Sequence, residues 1–304
     1  MTERAEHRQG VAYGVAAYVM WGAFPLFWPL LEPAGALEIL AHRLVWSLVV
    51  MAGLVVFLRR TAQFRTLVRT PRKFWLLALA GVTVSINWTT YIWGVNHGYV
   101  VETSLGYFIN PLVTVLLGVL VLRERMRPVQ WAAVGVGFVA VLVLAVDYGR
   151  PPWIALVLAF SFGTYGLLKK QANAGAIESL ALETAVVSPL AFAYVVWLGA
   201  TGEGHFTSEG IGHTLLFMSA GLITAIPLIC FGAAAVRVPL VVLGLLQYLA
   251  PVLQFSLGVL YFHEDMPVGR WLGFGLVWVA LVVFTYEAIR FRRSQLRDAT
   301  EALV

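Results

Sequence analysis

Asn110–Trp131 reads NPLVTVLLGVLVLRERMRPVQW, and Ala250–Trp271 reads APVLQFSLGVLYFHEDMPVGRW. At one constant offset Pro111 falls on Pro251, Gly118-Val119-Leu120 on Gly258-Val259-Leu260, and Glu124 on Glu264. In the same register Met126 falls on Met266, Trp131 on Trp271 and Gly135 on Gly275. An ungapped match of this length marks an internal duplication. It extends upstream, where Ala34-Gly35-Ala36-Leu37-Glu38 matches Ala174-Gly175-Ala176-Ile177-Glu178. The two copies differ in charge. The first closes on Arg123, Arg125 and Arg127, the second on His263, Asp265 and Pro267.

The quoted stretch is mostly apolar, and so is the rest of the chain. Of 304 residues, 60% are hydrophobic and 12% charged, and the mean hydropathy is +0.81. A soluble domain carries about a quarter charged residues. This composition cannot solvate a globule, and apolar runs of roughly 20 residues match a bilayer. The lipid bilayer is therefore the expected partner. The pI near 9.5 does not mark a nucleic-acid binder, because the basic residues sit in short loops between apolar runs. Cys230 is the single cysteine, so no disulfide forms within the chain and the thiol reads as packing. The first apolar run is too long for a signal-peptide core and lacks a cleavage site, so it reads as a retained span.

Ten spans are expected: Gly10–Leu31, Leu37–Leu58, Phe74–Val95, Glu102–Leu122, Pro128–Val146, Pro152–Lys169, Glu178–Leu198, His213–Ala234, Pro239–Phe262 and Gly269–Ile289. With the N-terminus inside, every Lys and Arg falls on the inner side except Arg43, Arg150 and Arg270. By the positive-inside rule both termini are cytoplasmic. Five spans fill each half, 1–146 and 147–304. Because five is odd, the second half enters the membrane inverted, which explains why its copy of the opening stretch lost its arginines. The expected fold is an all-α membrane protein of ten helices in an inverted 5+5 repeat, an architecture common among secondary transporters.

Polar groups inside a bilayer each need a reason. Glu38 and His42 stand one helical turn apart on the second span, and Arg43 follows. Arg43 reads either as an anion-binding or gating group or as a structural, snorkelling side chain. Glu183 is its repeat equivalent on the opposite side, a candidate proton-linked carboxylate or a structural partner of Lys169 or Lys170. His42, Glu183 and Glu287 are the candidate proton carriers. On the third span Asn87, Thr90 and Tyr91 share a face, and Asn87 and Trp88 lie too deep for the interfacial aromatic belt. Gly94 and Gly98 read as helix packing. Pro111 and Pro251 are expected to kink the fourth and ninth spans. Asn110 sits beside the first proline, and Gln247, Tyr248 and Gln254 surround the second. The paired prolines point to a central cavity. Trp21, Pro25 and Pro29 on the first span, Tyr165 on the sixth, and Thr224 and Pro227 on the eighth mark flexible or closely packed helices. No Walker loop, metal-ligand spacing or GxSxG elbow is present, so neither an ATP-driven pump nor a cofactor is expected.

Glu38–Ser47 (EILAHRLVWS), Asn87–Asn96 (NWTTYIWGVN) and Val101–Leu117 (VETSLGYFINPLVTVLL) closely resemble the RarD family, in the EamA branch of the drug/metabolite transporter superfamily. The resemblance implies ten helices, an inverted repeat, and a bacterial inner-membrane location. It also implies a cavity lined by the first, third, fourth, sixth, eighth and ninth helices. Here that selects Trp21, Asn87, Trp88, Tyr91, Tyr107, Asn110, Tyr165, Gln247 and Tyr248, with Tyr107 and Tyr165 resting chiefly on the resemblance. The expected function is secondary transport, in the direction of export, of an amino-acid-like metabolite or amphipathic drug by alternating access. Gating or coupling then falls to Pro111, Pro251, His42, Arg43 and Glu183. A membrane enzyme or signalling component and a facilitative channel are the other readings. The sequence is also compatible with a homodimer.

Overall fold

A computed structural model describes residues 3–123, 126–235, 237–238 and 240–301, and these residues form helices and turns with no strand. α1 (Glu3–Gly22) stops where Pro25 and Pro29 each open a 3-10 turn, Phe24–Leu26 and Trp28–Leu31. Proline fits there because its fixed φ suits the start of a helix and the first N–H groups are unpaired anyway. There follow α2 (Ala36–Phe57), α3 (Thr61–Arg69), α4 (Pro71–Asn96), α5 (Val100–Leu122) and α6 (Pro128–Asp147). The second half supplies α7 (Trp153–Ala172), α8 (Ala176–Thr201), α9 (Ile211–Ala235), α10 (Leu240–Leu246), α11 (Leu249–Leu260) and α12 (Val268–Glu301).

Among the described residues, seven helices are long and apolar enough to cross a membrane: α2, α4, α5, α6, α8, α9 and α12. The other expected spans are more polar or broken. α1 starts with Glu3, Arg4, Glu6, His7 and Arg8, and α7 ends on Lys169 and Lys170. The expected ninth span is interrupted at Gln247–Tyr248 between α10 and α11. The two prolines of the opening stretch are used differently. α5 runs through Pro111 as one helix, whereas Pro251 falls in the first turn of α11. A missing N–H costs nothing there, and the break lies before the proline. Glu124, the first-copy counterpart of Glu264, lies outside the described residues, as does Pro239.

α2 packs on α8 and α9, α7 on α4 and α5, α1 on α9 and α11, and α6 on α12. Small residues allow the closest approaches. A Cβ added at Gly221 of α9 would lie 2.6 Å from the Trp46 carbonyl oxygen of α2. One added at Gly81 of α4 would lie 2.8 Å from the Glu183 carbonyl oxygen of α8. Either substitution would force a helix pair apart. One buried cluster joins Leu105, Phe108, Leu144, Phe255 and Phe274; another joins Trp28, Ile39, Tyr91, Ile154 and Phe217. Outward faces carry exposed Phe57, Val146, Leu190 and Ile211, a surface suited to lipid.

The turns after α1, α4, α6, α8 and α11 are tied together at one end of the bundle, here the distal end. Glu102 of α5 takes two hydrogen bonds from Arg150, and Arg270 pairs with Asp147 at 3.2 Å. The proximal end holds Arg60–Glu178 at 3.4 Å and Arg127–Glu287 at 2.8 Å.

Candidate functional site

Arg43 sits on α2, whose flanking residues are nearly all apolar, so its guanidinium is carried inside the bundle and is 3% exposed. Its Nε donates to Thr224 Oγ1 of α9 at 2.9 Å. The guanidinium carbon lies 3.9 Å from the centroid of Trp88, 5.0 Å from Trp28 and 5.8 Å from Phe24. Cation–π contacts of this kind stabilise a desolvated cation by about 2 kcal/mol or more. Tyr91 and Tyr107 lie within electrostatic reach of it, their rings packed edge to face at 5.6 Å.

Asn87, one turn from Tyr91 on α4, is fully buried and joins three helices. Its Nδ2 donates to the Leu158 carbonyl and to Ser161 Oγ of α7, both at 3.0 Å. Its Oδ1 accepts from the Tyr107 hydroxyl of α5 at 3.1 Å. The structure thus brings Arg43, Asn87, Trp88, Tyr91 and Tyr107 into one cluster. Phe162 extends it, packing on Tyr107 at 6.1 Å and on Tyr165 at 5.8 Å. Tyr165 donates to Glu183 Oε2 at 3.1 Å, and Lys169 Nζ donates to Glu183 Oε1 at 2.7 Å. Glu183 is therefore held as an ion pair and has no contact with Arg43.

Of the remaining expected residues, Trp21 borders the buried cluster that holds Phe24, Trp28 and Tyr91, and the others lie apart. Trp21 packs on Tyr18 at 5.2 Å and on Phe231 at 5.8 Å, and its carbonyl accepts from Gln254 Nε2 at 3.1 Å. Asn110 is half-buried, its Oδ1 taking a long 3.4 Å bond from Thr114. Gln247 and Tyr248 occupy the break before α11. His42 stacks on Phe206 at 4.5 Å and 17°, while Glu38 is bound by the backbone N–H and ring of His205. Phe24, Trp28 and Ser161 were not legible as site residues. Each meets its partner across a gap in sequence, and only their aromatic or small polar character hinted at it.

Two cavities open at the distal end. One, about 600 Å³, is lined by Glu38, Thr89, Trp93, Trp153 and His205 among others. The second, about 420 Å³, is lined by Tyr99, Glu102, Tyr148, Arg150, Glu264 and Arg270 among others. In it Glu264 reaches from the α11–α12 turn to accept from the backbone N–H groups of Val100 and Val101, capping α5. Burial pushes its carboxyl up to about 7 and Glu102 adds to the rise, against the opposing pull of the two N–H groups and Arg270. Burial likewise raises the Tyr148 phenol, and the hydrogen bond to Glu102 raises Arg150. Among the described residues no His, Cys, Asp and Glu gather as a metal site.

The EamA-like transporter family matches residues 8–146. Protein RarD of Streptomyces exfoliatus is 62% identical over 298 residues, covering 98% of this chain and 95% of that protein. The chain belongs to the RarD family. Another relative, the uncharacterized transporter YojE of Bacillus subtilis, is 41% identical over 295 residues, covering 96% of this chain and 98% of that protein. A solved crystal structure matches with a TM-score of 0.58 at 18% identity, covering 93% of this chain and 98% of that one, and shows a shared fold alone. RarD proteins are EamA-type membrane transporters within the drug/metabolite superfamily. With its seven apolar helices, this RarD chain is a multi-pass protein of the bacterial inner membrane that handles a small-molecule substrate in a lipid environment.

Proposed function

We propose that this RarD chain is a secondary transporter, working as an exporter of small metabolites or drugs by alternating access. Its halves, 1–146 and 147–304, are five-helix units of opposite orientation, α3 being an extra surface helix. Both termini are cytoplasmic, so the distal end faces outward. The observation that carries this reading is that repeat-equivalent groups do equivalent jobs at opposite ends. Glu38 is tied to His205 at the distal end and its equivalent Glu178 to Arg60 at the proximal end. Asp147 is tied to Arg270 distally and its equivalent Glu287 to Arg127 proximally. Gly81 and Gly221, also equivalent, make the α4–α8 and α2–α9 close contacts. Helix packing follows the same exchange: α1 on α9 answers α4 on α7, and α1 on α11 answers α5 on α7.

A pseudo-two-fold axis in the membrane plane gives outward-open and inward-open forms of one scaffold similar energies. The site is the Arg43–Asn87–Tyr107 cluster, where helices of both halves meet. Energy comes from the proton motive force or from solute gradients. Relatives named as transporters support transport over catalysis. Purified protein in liposomes, screened against labelled amino acids and drugs with and without a pH gradient, should give saturable flux of at least one solute. No flux of any solute from protein that remains folded would overturn the reading.

A further inference from the structure

We infer that the Arg43 cluster is a binding site for a monocarboxylate with a planar, apolar body, the guanidinium taking the carboxylate and the flanking indoles taking the body. The assignment rests on the transport reading and names its solute class. A guanidinium offers five N–H donors. Among the described residues, the single hydrogen bond of Arg43 is the one from Nε to Thr224, and no carboxylate lies within ion-pair distance of it. The buried acids are already engaged: Glu38 by His205, Glu102 by Arg150, Glu178 by Arg60 and Glu183 by Lys169. A buried charge with no partner is too costly to be left without a compensating group.

The unmet groups around Arg43 are also donors. Trp28 Nε1, whose ring lies 5.0 Å from the guanidinium, is buried with no partner. So is the Tyr91 hydroxyl, and so is Ser47 Oγ, one turn along α2 from Arg43. An indole N–H can only donate, and the two hydroxyls have a proton to give. A surplus of donors around one cation calls for a ligand rich in acceptors and carrying negative charge. One cation and no second Lys or Arg in the cluster suit a single charge, which favours a carboxylate over a phosphate dianion. The fork of the guanidinium matches the two oxygens of a carboxylate. The guanidinium itself covers the faces of Trp88 and Trp28 in this structure, so a flat body would stack on an indole that the guanidinium vacates as it turns to the carboxylate. The 600 Å³ cavity, lined by Glu38 of α2 and Thr89 of α4, opens about one turn distal to the site on the same two helices. Because Thr224 comes from the second half, movement of one half against the other would open or dismantle the site.

The test uses the full-length protein in detergent with three probes at equal ionic strength: benzoate, its neutral isostere benzamide, and inorganic phosphate. Benzoate should raise the thermal midpoint of the wild type in a saturable way, and benzamide and phosphate should not. Arg43→Met should abolish the benzoate effect while its ligand-free midpoint stays at or above that of the wild type, since it removes an unpaired buried charge. Arg43→Lys keeps the charge without the fork and should bind benzoate at least tenfold more weakly. Equal protection by benzamide would overturn anion recognition, and protection by phosphate through Arg43 would overturn the carboxylate. A wild type indifferent to benzoate, or an Arg43→Met midpoint several degrees below wild type, would make the guanidinium a structural strut. Flux is scored separately. Benzoate binding without flux would remove the transport reading alone; flux insensitive to Arg43→Met would remove this inference alone.

Discussion

Replacing Glu264 by Gln should change how the stability of this RarD protein depends on pH. The Glu264 carboxylate accepts from the N–H groups of Val100 and Val101 in a cavity shared with Glu102, Tyr148 and Arg270. Burial raises its carboxyl from 4.5 to about 7. The folded value lies above the unfolded one, so ionising this group is harder in the native state. Its contribution to stability is complete below about 4.5, declines as pH rises, and is gone above about 7. A change of this size corresponds to about 3 kcal/mol at most, and water at the cavity mouth reduces it to on the order of 2 kcal/mol. Thermal unfolding in detergent should therefore show the wild type losing several degrees between pH 5 and pH 8. Glu264→Gln should match it at pH 5 and exceed it at pH 8. His263, Asp265, Arg150 and Asp147 also face the cavity or its rim, so the difference between the two proteins, not either curve alone, isolates Glu264. A wild type that gains stability over Glu264→Gln as pH rises through 7 would refute the reasoning. The helix-capping carboxylate would then outweigh its burial.

Other substitutions probe the interior. Asn87→Leu removes three buried hydrogen bonds linking α4, α5 and α7, and should lower unfolding stability by about 2 kcal/mol, read by thermal or denaturant melts. Lys169→Met should leave Glu183 as an unpaired buried charge and destabilise more than the double variant Lys169→Met/Glu183→Gln, a difference that a double-mutant cycle measures. Gly221→Leu should disrupt the α2–α9 contact and reduce the yield of folded protein, because its side chain would meet the Trp46 backbone. Asn110→Leu tests whether the site extends along α5 beyond Tyr107: a loss of transport without a loss of expression would extend it, and unchanged flux would leave the site at the Arg43 cluster.

The duplication was legible because identities at one offset survive wherever a helix end or a close contact needs the same residue. Glu38 and Glu178, or Asp147 and Glu287, could be matched from the sequence, but their partners His205, Arg60, Arg270 and Arg127 could not. Those partners come from turns that only the folded bundle brings near. For the same reason Arg43, Asn87, Trp88 and Tyr91 stood out as intramembrane polar or deep aromatic groups, while Thr224 read only as marking a flexible or closely packed helix and Trp28 and Phe24 stayed hidden. α3 was missed although its pattern was present: Arg65 and Arg69 are one turn apart, with Phe64 and Leu67 packed against the bundle. Reading it only as a basic loop overlooked that amphipathic period. The prolines misled in one respect. Identical register suggested identical kinks, yet α5 passes through Pro111 while the second copy breaks at Gln247–Tyr248.

The claim that two inverted halves rock about one central site can be measured as two distances in one protein. With Cys230 replaced by Ser, spin labels at exposed Tyr99 and Glu209 span the distal mouth, and labels at exposed Arg69 and Arg237 span the proximal mouth. In proteoliposomes, adding a transported solute or imposing a pH gradient should lengthen one distance while the other shortens, with both populations present at rest. Distances that stay fixed, or that widen together as in a channel, would contradict the account.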